Sequence, residues 1–195
     1  MTLNAGNGSR PRGFAVGDFN NDTHIDIVVI NSGTNNADIF LGYGNMSFSH
    51  QANHSVGASP SSIGIGDFDN DGQLDIVVTN LDDSNISVLL GCGNGSFENQ
   101  TTHSTGVNAQ PYSILVSDFD NDNILNLMVA NYAANNIVVL LGYGNGRFSN
   151  AKEVFLDYNS HPIAIVKGDF NKEKKLDFVV INEGTDTLKI LLQTC

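Results

Sequence analysis

Four short segments concentrate the acid of this 195-residue chain. The run Asp67-Phe68-Asp69-Asn70-Asp71-Gly72-Gln73-Leu74-Asp75 places carboxylates at its first, third, fifth and ninth positions, with glycine at the sixth. Alternate residues of such a loop point inward, glycine admits the sharp turn, and the seventh residue, Gln73, offers its backbone carbonyl. That is an oxygen cage for a hard cation, Ca²⁺ above all. Asp18, Asn20, Asp22 and Asp26 repeat the pattern around the His24 carbonyl, with Thr23 at the glycine position. Asp118, Asp120, Asp122 and Asn126 repeat it around the Ile124 carbonyl; Asn123, at the turn, tolerates left-handed backbone. The fourth copy, Asp169, Asn171, Glu173 and Asp177, is interleaved with Lys172, Lys174 and Lys175. Those ammonium groups oppose a divalent cation, Glu173 is a methylene too long, and Lys174 suits the turn poorly. This loop is expected to be weak or metal-free, held in part by local lysine–carboxylate pairing.

The plainer reading is a set of Asx-rich turns. Against it, 12 of the 17 aspartates fall in these four segments. Several uncompensated carboxylates a few ångströms apart repel and raise their own pKa values, which an ion would relieve. The loops begin as an EF-hand loop does, but two features exclude one. Position 12, where a bidentate Glu belongs, is Val29, Val78, Val129 or Val180, and the flanks are β-branched runs rather than amphipathic helices. The ninth residue must close the cage instead. The ion's expected role is to tie the strands on either side of the loop.

The elements that position these loops repeat with them. Pro11, Pro60, Pro111 and Pro162 each stand seven residues before an Asp-Phe pair, and the leading aspartates are spaced by 49, 51 and 51 residues. After each proline comes a short alternating stretch, such as Ser62-Ile63-Gly64-Ile65-Gly66, then the acidic loop. A β-branched run follows, Ile76-Val77-Val78-Thr79 in the second copy, closed by Asn80 and a polar turn. A third strand, Val88-Leu89-Leu90, leads to a glycine turn, Gly91-Cys92-Gly93-Asn94-Gly95, and a fourth strand is expected to begin at Phe48, Phe97 and Phe148. Four short antiparallel strands in about 50 residues make one blade of a β-propeller. The expected fold is therefore all-β, a single propeller domain over 1–195, with repeats at about 11–59, 60–110, 111–161 and 162–195. A linear β-solenoid, whose repeats are shorter, is the alternative. The last copy stops after its third strand, and Met1 to Asn4 align with His50 to Asn53 at the end of a fourth strand. Residues 1–10 would then complete the last blade and close a small ring; otherwise the chain is a fragment of a larger propeller whose open edges invite self-association.

The segments Gly17-Asp18-Phe19-Asn20-Asn21-Asp22, Asp26-Ile27-Val28-Val29 and Leu140-Leu141-Gly142-Tyr143-Gly144-Asn145-Gly146-Arg147-Phe148 resemble the FG-GAP/VCBS repeat of integrin α-subunit propellers, over essentially the whole chain. The resemblance implies Ca²⁺ in the hairpin between the first two strands, loops on the lower face, and extracellular adhesion or ligand binding. It also implies propellers commonly of seven blades.

The net charge of −12 argues against nucleic acid and anionic membranes as partners. No apolar run approaches the roughly 20 residues of a membrane span. Met1-Thr2-Leu3-Asn4-Ala5-Gly6 carries no signal-peptide pattern. Asn-X-Ser/Thr sequons at Asn7, Asn21, Asn45, Asn53, Asn85, Asn94 and Asn99 permit a secreted glycoprotein. Cys92 stands where Tyr43 and Tyr143 stand in neighbouring copies and is expected to be a buried, inert thiol; Cys195 is its one companion. His50, His54 and His103 are expected to be solvated, since no zinc-type spacing is present. No Ser-His-Asp elbow, phosphate loop or Cys-X-X-Cys appears, so an enzyme is not expected. Expected instead is a Ca²⁺-stiffened module that meets a protein or glycan ligand on the face opposite the metal loops. That face carries the turns Ser32 to Ala37, Leu81 to Asn85, Tyr132 to Asn136 and Glu183 to Thr187, and the segments before each proline. A carbohydrate-binding propeller is the alternative, weakened by the absence of Trp and of a repeated Tyr among Tyr112, Tyr132 and Tyr158.

Overall fold

Each proline of the repeat opens an inner strand at its first residue, where a missing N–H interrupts no ladder. A computed structural model describes residues 1–193. In the first sheet β1 (Pro11–Gly17), β2 (Asp26–Asn31), β3 (Asn36–Gly42) and β4 (Phe48–Ser55) run as an antiparallel meander. The second holds β5 (Pro60–Gly66), β6 (Asp75–Asn80), β7 (Asn85–Leu89) and β8 (Thr101–Ser104), and the third β9 (Pro111–Ser117), β10 (Asn126–Asn131), β11 (Asn136–Leu140) and β12 (Lys152–Phe155). The fourth has only β13 (Pro162–Gly168), β14 (Asp177–Asn182) and β15 (Thr187–Leu191). Residues 1–10 form no strand and add none to it; Leu3 and Ala5 instead line one open concavity with Phe14, Ile27 and Phe40 of the first sheet.

The inner strands β1, β5, β9 and β13 lie side by side in that order, so the sheets succeed one another like the blades of a propeller. They are not closed into a ring. The apolar runs read from the sequence face both ways, because every internal sheet is covered on both faces. Val28, Ile30, Ala37 and Ile39 of the first sheet pack on Ile76, Val78 and Leu89 of the second. Val77, Ile86 and Val88 pack on Ile114, Leu127 and Val129 of the third. Met128, Ala130 and Ile137 then pack on Ile165, Phe178 and Val180 of the fourth. One interface is thus made three times.

Buried Asn31, Asn80, Asn131 and Asn182 close the second strands and fix the next turn by donating from Nδ2 to Asn36 Oδ1 (2.9 Å), Asn85 Oδ1 (2.8 Å), Asn136 Oδ1 (2.9 Å) and Thr187 Oγ1 (3.2 Å). The fourth strands depart from expectation in two copies. Only β4 begins at its Phe; Phe97 and Phe148 each make an isolated bridge, to Gly91 and Gly142, and β8 and β12 start four residues later. The reason is packing. Phe97 turns into the seam against Phe19 (5.8 Å between ring centres), and Phe148 against Phe68 (5.6 Å), which takes their backbone out of the ladder.

Cys92 is exposed rather than buried, as are Tyr43 and Tyr143 at the same turn position, because the glycine turn projects that side chain outward. Cys195 lies outside the described residues. The histidines expected to be solvated lie in the fourth strands, His50 exposed as expected, whereas His54 and His103 are half-buried rather than solvated, edge-on to Phe97 (5.4 Å) and Phe148 (5.6 Å). Their Nε2 atoms are buried without a hydrogen-bond partner, and burial holds both imidazoles below the usual pKa.

Candidate metal centres

The four acidic loops share one hydrogen-bonded frame, set by short side chains that accept from their own backbone. In each, the first carboxylate accepts from the backbone N–H groups of the fifth and sixth residues. Asp67 takes Asp71 N (3.1 Å) and Gly72 N (2.9 Å), and Asp18 takes Asp22 N (3.1 Å) and Thr23 N (2.8 Å). Asp118 takes Asp122 N (3.2 Å) and Asn123 N (2.9 Å), and Asp169 takes Glu173 N (3.1 Å) and Lys174 N (2.9 Å). The fifth carboxylate then accepts from the seventh N–H: His24, Gln73 and Ile124 donate to Asp22, Asp71 and Asp122 at 2.8, 2.7 and 2.8 Å. The sixth residue is left-handed in all four loops, at φ of 70° for Thr23, 84° for Gly72, 66° for Asn123 and 65° for Lys174.

Asp67, Asp69 and Asp71 each present an oxygen within 4.8 Å of the others, and Asp118, Asp120 and Asp122 do the same. Two oxygens on one Ca²⁺ at 2.3–2.6 Å can stand about that far apart, so both sets fit such an ion. In the first loop Asn20 replaces the middle carboxylate, and its Nδ2 donates to Asp22 (3.0 Å) while its Oδ1 accepts from Asp22 N (3.2 Å). His24 also turns its Nδ1 to Asp22 Oδ1 (3.1 Å). In the fourth loop Asn171 donates to Glu173 (2.8 Å) in the same way.

The ninth residue has a part the spacing did not reveal. Asp26, Asp75 and Asp177 are fully buried, and Asn126 nearly so. Each oxygen of Asp75 accepts a backbone N–H, Phe68 at 2.6 Å and Gly91 at 2.7 Å, so one side chain ties the loop to the end of the third strand. Asp26 repeats this with Phe19 and Gly42, both at 2.8 Å, and Asp177 with Phe170 (3.0 Å) and Gln193 (3.1 Å). Asn126 keeps only Gly142 (2.9 Å) and turns its amide to Asp120 (3.0 Å). Carboxylate oxygens have lone pairs to spare, so an Asp in this place can brace the loop and still face an ion.

Charge in the second loop is held at a cost. Burial pushes Asp75 up to about 6, against the N–H groups of Gly91 and Phe68, with the charges of Asp69 and Asp67 adding to the rise. Asp69 is raised by burial and by the charges of Asp71 and Asp67. A cation would relieve both. The third loop differs: burial raises Asp118, but N–H groups of Asn123, Asn121 and Asp122 outweigh it and hold the carboxyl low. Asp22 is also lowered, chiefly by the His24 N–H.

Residues 18–78, 67–129 and 118–180 each match the FG-GAP-like repeat, together more than half of the chain. The chain belongs to the FG-GAP-like repeat family. No curated protein matches this FG-GAP-like chain in sequence. Among solved structures, a 6-phosphogluconolactonase-type protein from Bacteroides uniformis is similar at 12% identity, with a TM-score of 0.72 over all of this chain and 56% of that one. A protein from Lactobacillus plantarum is similar at 16% identity and TM-score 0.70, over 95% of this chain and 54% of that one. Virginiamycin B lyase from Staphylococcus aureus is similar at 15% identity and TM-score 0.61, over 96% and 57%. The FG-GAP-like chain thus spans a little over half the length of each. At such identities the likeness concerns the fold alone.

The opposite end of the blades carries a cluster that sequence spacing did not bring together. Arg12 lies over the Tyr112 ring (5.6 Å) and donates to its hydroxyl (3.1 Å); Tyr112 neighbours Tyr132 (5.9 Å), and Tyr132 stacks on His161 (4.6 Å). Arg12 and Tyr112 share a repeat position, each following its blade's proline, which was the one signal available.

Proposed function

We propose that this FG-GAP-like chain is a calcium-binding interaction module, stiffened by Ca²⁺ and working outside the cell in adhesion or protein-ligand binding rather than in catalysis. One observation carries the reading: two loops each gather three carboxylates within 4.8 Å on a frame of backbone hydrogen bonds. Asp67, Asp69, Asp71 and Asp75, with the Gln73 carbonyl, would hold the best site. The third loop, through Asp118, Asp120, Asp122, Asn126 and the Ile124 carbonyl, and the first, through Asp18, Asn20, Asp22, Asp26 and the His24 carbonyl, come next. The fourth would be weak, with lysines beside Asp169, Asn171, Glu173 and Asp177. The ion would neutralise the loop and tie together the strands on either side of it. Cages of carboxylate and carbonyl oxygens of this kind suit Ca²⁺. The ligand would meet the far face, where the strand turns and the pre-proline segments are joined by bonds such as Ser32 N to Arg10 O (3.1 Å) and Tyr132 N to Gln110 O (2.9 Å).

The test is a calcium titration followed by thermal melting of the wild type and of Asp71→Ala. A site filled at a hundred times its Kd adds about 2.7 kcal/mol, and Asp71→Ala should remove the share of the second loop. A melting temperature unchanged by Ca²⁺ or EDTA would sink the reading.

A glycan ligand is the second reading, and the Arg12–Tyr112–Tyr132–His161 cluster favours it, since flat rings beside a guanidinium suit an acidic sugar. A glycan array with wild type and Tyr132→Ala decides it: binding lost in the variant supports a sugar site, and no sugar bound leaves the protein-ligand reading.

A further inference from the structure

Neighbouring acidic loops are joined across the seams by hydrogen bonds that lie outside the sheets. In the second blade the glycine turn after β7 reaches back to the first loop. Gly95 N donates to Phe19 O (2.9 Å), and the Asn21 amide donates to Gln73 Oε1 and lies 3.5 Å from Gly93 O. In the third blade Gly146 N donates to Phe68 O (2.9 Å), and the Asn70 amide lies 3.5 Å from Gly144 O. A Cβ at Gly93 would stand 2.3 Å from Gln73 Oε1, and one at Gly144 would stand 2.6 Å from Asn70 Nδ2. The bare glycine is what lets the two loops meet over the turn. Each turn is also fastened to its own loop, since Gly91 N donates to Asp75 (2.7 Å) and Gly142 N to Asn126 (2.9 Å).

These contacts fall on particular residues. The first, third and fifth positions of a loop would face an ion, and the next blade holds the second and fourth, Phe19 with Asn21 and Phe68 with Asn70. Drawing the odd positions inward and seating the even ones on the turn are therefore one movement. Without an ion, three carboxylates within 4.8 Å of one another, as in the second and third loops, repel and part; an ion draws them together. A seated turn in its place supports the seventh residue of its own loop: Gln73 packs on Gly93 and Ile124 on Gly144. The carbonyl of that residue is the one assigned to the ion.

We propose that neighbouring loops bind calcium with positive coupling, the ion in one loop seating the glycine turn of the next blade and so preparing the next loop. This rests on the calcium reading given above. Long-range charge works the other way, because filling one acidic loop lowers the pull of its neighbour on a cation. Salt at about 0.15 M screens that effect beyond about 8 Å, and it leaves the turn untouched. The coupling is reciprocal: each loop strengthens the other by one shared factor.

The test is a calcium titration in about 0.15 M salt followed by amide NMR. The Thr23 N–H, bonded to Asp18, reports the first loop, and the Gly72 N–H, bonded to Asp67, reports the second. Asp71→Asn should empty the second loop while keeping an oxygen for the Gln73 N–H. It should weaken calcium at the first loop about fivefold or more, and Asp22→Asn should weaken the second loop by the same factor. Asn21→Gly removes the clasp and suits the φ of 58° at that position. In that background Asp71→Asn should change first-loop affinity by less than about twofold. First-loop affinity untouched by Asp71→Asn, or reduced equally with and without the Asn21 side chain, would overturn the coupling alone. No calcium-dependent shift at any loop of the wild type would overturn the calcium reading, and the coupling with it.

Discussion

Gly91→Ala is the substitution that most sharply separates the frame of the second loop from its ligands. A Cβ at Gly91 would overlap the backbone carbonyl oxygen of Leu74, the eighth residue of the loop, and the same overlap exists between Gly42 and Ile25 and between Gly142 and Leu125. Backbone stands on both sides, so relief requires moving the end of the third strand away from the loop. That movement stretches the 2.7 Å bond from Gly91 N to Asp75, a charge-assisted bond whose loss costs about 1.5–3 kcal/mol. Overpacking strain adds about 1–3 kcal/mol, and the stiffer unfolded chain of alanine offsets about 0.4–1 kcal/mol. The net is about 1.5–5.5 kcal/mol, roughly 3–22 °C in melting temperature for a chain of this length. Gly72→Ala is the control. Gly72 has open space around its missing Cβ and a φ of 84°, so only conformational strain of about 1–2 kcal/mol is expected there. Urea denaturation of both variants, in EDTA and in calcium, measures the difference. Should Gly91→Ala unfold within about 0.5 kcal/mol of wild type, the bracing role given to Asp75 is wrong.

Three further outcomes follow from other parts of the molecule. Thr23→Gly should stabilise the first loop by about 1 kcal/mol in calcium-free urea denaturation, because a β-branched residue now sits at a φ of 70°. Phe97→Ala should cost about 3–5 kcal/mol, since the ring fills the seam between the first two blades against Phe19 and His54; a loss under about 1 kcal/mol would show that the seam does not depend on it. His54 and His103 have folded-state pKa values below the ordinary one, so the unfolded chain binds protons more readily than the folded chain. Their contribution is intact above an ordinary histidine pKa of about 6.5 and is lost as pH falls below it. Calcium-loaded protein should therefore melt earlier at pH 5 than at pH 7, and His54→Phe with His103→Phe should flatten that dependence.

How much of this was legible in the sequence depended on whether the signal was local. Spacing gave the repeat, because the proline-to-aspartate interval, the loop and the β-branched run all lie within one chain segment and act through their nearest neighbours. At the sixth position Gly72, Asn123, Thr23 and Lys174 all adopt left-handed backbone, the conformation glycine and asparagine take most readily. What spacing could not supply were contacts between segments about 50 residues apart. Phe97 reads as the start of a strand until Phe19 and His54 of the preceding blade are placed around it. His54 and His103 read as solvated polar residues until a neighbouring phenylalanine covers them, and Tyr112, Tyr132 and His161 read as scattered aromatics until the start of β9, the end of β10 and the approach to β13 come together. The ninth loop position shows both sides at once. Its acidic character was visible, but its burial follows from Gly91, sixteen residues on, whose N–H it must satisfy and whose lack of a side chain lets the third strand approach the loop. Position nine thus closes the blade through its own hydrogen bonds, whatever else it faces. On this reasoning asparagine is tolerated there in the third loop, where Gly142 keeps its partner, with the loss falling on the Phe119 end and on the local charge.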